Sequence, residues 1–141
     1  IPVVLVDRGV AADESLYLTK VASDFVVEGA LAAAWLAAET NGVCDVVELQ
    51  GTVGSSAAND RKEGFESVVG NFPGINIIRS QSGDFTRSGG KEVMESFLKA
   101  EDGGKNICAV YAHNDDMALG AVQAIKEAGL NPGDDILIVS I

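Results

Sequence analysis

The stretch Tyr111 to Leu130, "YAHNDDMALGAVQAIKEAGL", sets a histidine, an asparagine and two aspartates between a strand-like run and a helix-like one. Imidazole and carboxylates side by side can ligate a metal, exchange protons, or cap a helix that also touches a ligand. Asn114 stands at the helix start, where a side-chain oxygen accepts from free N–H groups. Asp115 and Asp116 occupy the first turn, where the helix dipole favours carboxylates. His113 is the only histidine and neither cysteine is near it in sequence, whereas zinc wants about three or four ligands. A magnesium site on Asp115 and Asp116 has no further support, so no metal and no cofactor is expected. Asn114, with both donors and an acceptor, is the ligand candidate of the group.

Other polar residues fall in comparable places. Gly51-Thr52-Val53-Gly54-Ser55-Ser56 is a glycine-rich turn from strand to helix, but it lacks the lysine that a phosphate-binding loop places before Ser or Thr. A tight turn closed by a serine cap is the simpler reading. Arg61 follows about a turn and a half into that helix, and helical side chains lean toward the N-terminus, so its guanidinium reaches back toward the sheet edge. Asp7 and Arg8 end an apolar strand; a planar guanidinium suits paired ligand oxygens, and its acidic neighbour suits either a hydroxyl proton or an internal ion pair. Phe85 stands in the polar loop "SGDFTRSGG", where its ring either packs on the C–H face of a sugar or plugs the core. Cys44 and Cys108 each come near a strand start; on neighbouring strands they would lie within disulfide reach, and otherwise they are buried thiols.

The elements that hold these residues are legible as alternating runs. Strand-like "VVLV", "DVVEL", "INIIR", "ICAVYA" and "ILIVS" recur, from the second on, at about the spacing of a βαβ unit. Between them lie helical patterns. The first is expected to bury Val27, Leu31, Trp35 and Ala38 behind a Ser23 cap; the second Phe65, Val68 and Phe72; the third Val93, Phe97 and Leu98. The fourth would bury Ala118, Ala121, Val122 and Ile125 and stop at Gly129. This predicts an α/β fold with a doubly wound, mostly parallel sheet, whose ligands sit outside the carboxyl ends of the strands. The loops carrying Asp7, Arg8, Gly51, Phe85 and Asn114 should then converge on one edge.

Composition narrows the partners. The 141 residues are 47% apolar and 22% charged, the balance of a globular domain, with a formal net charge of −11. Such acidity argues against nucleic acid and anionic lipid, and no apolar run nears the roughly 20 residues that span a bilayer, so no direct membrane insertion is expected. A small neutral or cationic ligand fits better. Residue 1 already opens one strand and the last residues are another, so the chain is expected to be a piece of a longer protein.

With these residues in view, "IPVVLVDRG", "VASD", "VVELQGTVGSSAANDRKEGF", "IIRSQSGDFTRSGGKEVMESF" and "YAHNDDMALGAVQAIKEAGL" resemble the type I periplasmic sugar-binding proteins of ABC importers over nearly the whole chain. The galactofuranose-binding members look nearest and the ribose-binding ones next. The resemblance implies two α/β lobes joined by crossing segments, with a monosaccharide trapped between them. Residues 1–22 would be the last strand of the N-terminal lobe and the first crossing; residues 23–141 would be the C-terminal lobe, incomplete at its end. Asp7, Arg8, Arg61 and Asn114 would contact sugar hydroxyls and Phe85 would line the cleft. The family's sheet order sets the Cys44 and Cys108 strands side by side, which implies a disulfide. The implied partners are the sugar and a membrane permease, and the implied location is the periplasm. The family's next residue after "VSI" is a ligand-binding aspartate, so this chain alone is expected to bind sugar weakly or not at all.

Two other classes share features with this reading. The effector domain of a sugar-responsive transcription repressor has the same fold, and its parent would begin with a basic helix-turn-helix region. A sugar-modifying enzyme would use Asp84, Asp115 or Asp116 as acid or base, but no nucleophile with a base and no cofactor loop accompanies them.

Overall fold

The computed structural model describes residues 1–141. A four-stranded parallel sheet forms its centre, built from β3 (Val43–Gln50), β4 (Gly74–Ser82), β5 (Ala109–Ala112) and β6 (Leu137–Ser140) in the order β4-β3-β5-β6. Its helices are α1 (Phe25–Glu39), α2 (Ser56–Val69), α3 (Arg87–Ala100) and α4 (Asp115–Glu127). The parallel α/β architecture is the one the spacing of runs predicts. The first run departs from it: β1 (Val4–Val6) does not join the main sheet but pairs in parallel with β2 (Thr19–Val21), a strand in the segment read only as a crossing.

Strand pleating divides the core in two. Val47, Leu49, Val110 and Ala112 point toward α3 and α4, where Val93, Met94, Phe97, Ala121 and Ile125 complete one cluster. Cys44, Val46, Ala109 and Tyr111 point the other way, toward Ala33, Leu36, Phe65 and Val69 on α1 and α2. Phe65 stacks on Tyr111 with ring centroids 4.0 Å apart.

The helix starts follow local capping chemistry, with one correction. Ser55, Thr86 and Asn114 each accept a hydrogen bond from the backbone N–H three residues on. For α1 that task falls to Asp24, not Ser23: its carboxylate accepts from the Val27 N–H at 3.1 Å. At its far end α4 closes with Gly129 at φ +82°, where the Gly129 and Leu130 N–H groups bond back to Lys126 and Ile125.

The face of α1 is also corrected. Val27, Leu31 and Trp35 are exposed, at 49%, 64% and 47%, and Ala38 is exposed with them. The buried face is Phe25, Gly29, Ala32, Ala33, Leu36 and Ala37. Because α1 is apolar nearly all round, periodicity alone does not select a side. Size does: a methyl group on Gly29 would meet the Arg61 carbonyl at 2.0 Å, and one on Gly64 would meet the Val26 carbonyl at 1.9 Å, so α1 and α2 touch backbone to backbone. In the second helix Phe65 is buried as expected and Val68 half-buried, but Phe72 lies beyond the helix end and is half-buried.

A Cys44–Cys108 disulfide ties β3 to the residue before β5, with Cα atoms 5.4 Å apart. It lies at the amino ends of these strands, beside a surface hollow of about 600 Å³ lined by Asp45, Asn76, Lys105 and Asn106 among others. The polar loops singled out from sequence lie at the opposite, carboxyl end.

Candidate functional site

Arg61 is the most firmly held side chain at the carboxyl edge. Its Nε and Nη2 both donate to Glu28 Oε2 at 2.9 Å, and its Nη1 donates to the His113 carbonyl at 2.8 Å. Its guanidinium carbon lies 4.9 Å from the centroid of the Phe25 ring. Salt bridge, carbonyl and aromatic face fix three sides of a planar cation. One N–H on Nη1 and one on Nη2 keep no protein partner and are free for a ligand.

Asn114 is joined to the same corner through its neighbour His113. Its Oδ1 accepts from the Met117 N–H at 3.1 Å and so caps α4, while its Nδ2 donates to the Phe85 carbonyl at 3.1 Å. The carboxamide thus links the β5–α4 turn to the loop after β4. In that loop Asp84 and Phe85 take left-handed backbone angles, φ 56° and 58°, which side chains other than glycine rarely adopt. The turn sets the Phe85 ring directly over Gly51: a Cβ at position 51 would meet the ring at 2.0 Å. Any larger residue at position 51 would displace this ring.

The N-terminal segment approaches from the other side. The Arg8 guanidinium carbon lies 5.5 Å from the Phe85 centroid, and the Gly9 N–H donates to Ser56 Oγ at 2.8 Å. Asp7, at φ 67°, is the least tied of the predicted residues, with its carboxylate 3.9 Å from Arg8 Nε. The structure therefore brings Arg8, Arg61, Phe85 and Asn114 to one rim, with Asp7 at its outer margin. Asp115 and Asp116 point elsewhere: Asp115 accepts from Ser140 and Asp116 pairs with Arg87 at 3.2 Å. No three His, Cys, Asp or Glu residues come together as a metal-binding group.

Beneath the rim lies a polar group that sequence reasoning missed. Glu48 and His113 are both fully buried, and His113 Nε2 lies 3.0 Å from Glu48 Oε1. Ser80, Lys62 and Gln50 donate to Glu48 Oε2, Lys62 at 2.9 Å and Gln50 at 3.0 Å. Burial raises the Glu48 pKa, but the hydrogen bonds from His113, Ser80 and Lys62 outweigh it, and the value falls from 4.5 to about 2. Burial and then the Glu48 charge push the neighbouring Tyr111 hydroxyl well above its ordinary range. A signal was present: Glu48 interrupts the apolar run "DVVEL", and a charge inside a buried strand requires partners. Phe25 and Glu28 gave no such signal, because their role depends on how closely α1 lies against α2.

A parallel α/β unit thus sets a fixed guanidinium, a carboxamide and an aromatic face along one rim. Comparison with known proteins identifies the family. The chain belongs to the periplasmic binding protein family: the profile of the periplasmic binding protein domain matches residues 1–141. It is 66% identical over 143 residues to the galactofuranose-binding protein YtfQ of Escherichia coli, a match covering 100% of this chain and 45% of that protein. It is 40% identical to the ribose import binding protein RbsB of Bacillus subtilis, over 99% of this chain and 42% of that one. Among solved structures, that of a galactofuranose binding protein superposes with a TM-score of 0.96 at 66% identity, covering 98% of this chain and 47% of its own. The binding component of the arabinose ABC transporter of Shewanella sp. ANA-3, bound to L-arabinofuranose, gives 0.96 at 62% identity, over 99% of this chain and 46% of its own. The chain thus spans a little under half the length of these relatives.

Proposed function

We propose that this chain is the binding half of a sugar receptor for an ABC importer. Residues 1–22 carry the last strand of the N-terminal lobe and the first crossing, and residues 23–141 form most of the C-terminal lobe. The ligand is a monosaccharide such as galactofuranose, held between lobes that close on a hinge and present the closed form to a membrane permease. The observation that carries this reading is the meeting of Arg8, Arg61, Phe85 and Asn114 at one rim. Arg61 and Arg8 donate to hydroxyls, Asn114 offers its remaining N–H, Asp7 accepts a hydroxyl proton, and the Phe85 ring covers the apolar face of the sugar. Matching of hydroxyls in this way rejects sugars that lack them, because buried donors are left unpaired. The galactofuranose and arabinofuranose named for the relatives support the ligand class.

A receptor, not a catalyst, is the reading that fits Asp115 and Asp116, whose carboxylates are taken up by Ser140 and Arg87. The periplasm is the location proposed, supported by the relatives and by the disulfide, which suits an oxidising compartment.

The test is calorimetry of a monosaccharide panel on the full-length protein. One sugar should bind at micromolar affinity or tighter, about −8 kcal/mol. Arg61→Ala should weaken it roughly a hundredfold, the scale of losing charge-assisted hydrogen bonds. NMR of the mixture should show the sugar unchanged. A full-length protein that ignores the whole panel, or that converts any member of it, would overturn the proposal.

A further inference from the structure

In a parallel ladder, the bond after His113 N–H to the Leu49 carbonyl, here 3.0 Å, would run from the Gly51 N–H to the His113 carbonyl. It does not form. The Gly51 N–H turns instead to His113 Nδ1, at 3.4 Å, and the released His113 carbonyl accepts from Arg61 Nη1 at 2.8 Å. One departure from the ladder therefore serves both sides of the rim. It seats Gly51, whose carbonyl is held by Ser82 Oγ at 2.7 Å, as the floor under the Phe85 ring, and it supplies the third anchor of Arg61.

The exchange depends on the state of the imidazole. A backbone N–H only donates, so the Nδ1 it faces must be bare. The ring proton then resides on Nε2 and points at the Glu48 carboxylate, which only accepts. Lys62, Ser80 and Gln50 occupy the other oxygen of Glu48 and hold it in place. A proton on Nδ1 would set two donors against each other and free Gly51.

We infer that His113 is a positioning residue for ligand binding: its bare Nδ1 holds the floor beneath Phe85, its carbonyl anchors Arg61, and Glu48 keeps the imidazole in the tautomer that permits both. This rests on the sugar-receptor reading above. It assigns a purpose to a fully buried pair.

Two substitutions separate the arms, because asparagine sets an oxygen near the place of Nδ1 and glutamine sets an NH2 near that of Nε2. His113→Asn keeps an acceptor for Gly51 and loses Glu48; His113→Gln keeps a donor to Glu48 and loses Gly51. In the full-length protein, calorimetry should find sugar affinity within about threefold of wild type for His113→Asn and weakened about tenfold or more for His113→Gln, on the scale of one lost hydrogen bond and its consequences. Melting temperatures should fall in both, since a structural role alone would affect them alike. Equal affinities in the two variants overturn the inference while leaving the receptor reading intact. Wild-type protein that binds no sugar overturns both. If neither variant folds, 15N spectra of labelled histidine in the wild type decide: the Nε2–H form at neutral pH supports the inference, and the Nδ1–H form ends it.

Discussion

Glu48 carries a full charge where no water reaches it, and the hydrogen bonds from His113, Ser80 and Lys62 make that charge the favoured form. Since its pKa is depressed in the folded protein, the associated stability is fully present above the unfolded value of 4.5 and is lost as pH falls toward about 2. The expected contribution is on the order of 3 kcal/mol. Thermal melts of wild type and Glu48→Gln should differ widely at neutral pH and converge in that acid window; a constant gap between them would refute this assignment. The placement of Asn114 and Phe85 at the rim was legible because each stands between a strand and a helix, and that of Arg61 because helical side chains lean toward the N-terminus. Glu28 and Phe25 were not, because they look like ordinary members of an apolar helix until its neighbour is in place. His113 was weighed from sequence only as a metal ligand, whereas its partner Glu48 lies 65 residues earlier on the adjacent strand.

Elements here are positioned by small residues as much as by large ones. The alternation of strands and helices, and the caps at the Gly51–Ser56 turn and at Asn114, follow from runs and capping residues, but the face of α1 does not, since both Val27-Leu31-Trp35 and Gly29-Ala33-Leu36 recur at helical spacing. The second stripe wins because its small side chains let α1 approach α2 to backbone distance, and that approach sets Glu28 beside Arg61. Gly64→Ala should therefore be costly: the new methyl group meets the Val26 carbonyl, which cannot rotate away. A loss of about 2 kcal/mol or more is expected, read as a lower denaturation midpoint with an unchanged slope. Ligand affinity should fall too, because separating the helices draws Glu28 from Arg61. A variant as stable as wild type would show that the helices do not pack this closely.

At the scale of the molecule, the disulfide closes a loop across 64 residues of sequence, from β3 through α2, β4 and α3 to the start of β5. On chain-entropy grounds such a closure contributes about 4 kcal/mol. Replacing Cys44 and Cys108 together by serine should lower the melting temperature by several degrees or more, as should reduction of the wild type; indifference to both would remove the bridge from the account of stability. The same bridge sits at one pole of the strands while Gly51, His113 and the rim occupy the other. Lys105 stands exposed at the bridge pole. A fluorophore or an electrode linker attached to its amine would lie a strand's length from the proposed ligand rim, which makes that pole the natural handle for a sensor that leaves the rim unobstructed.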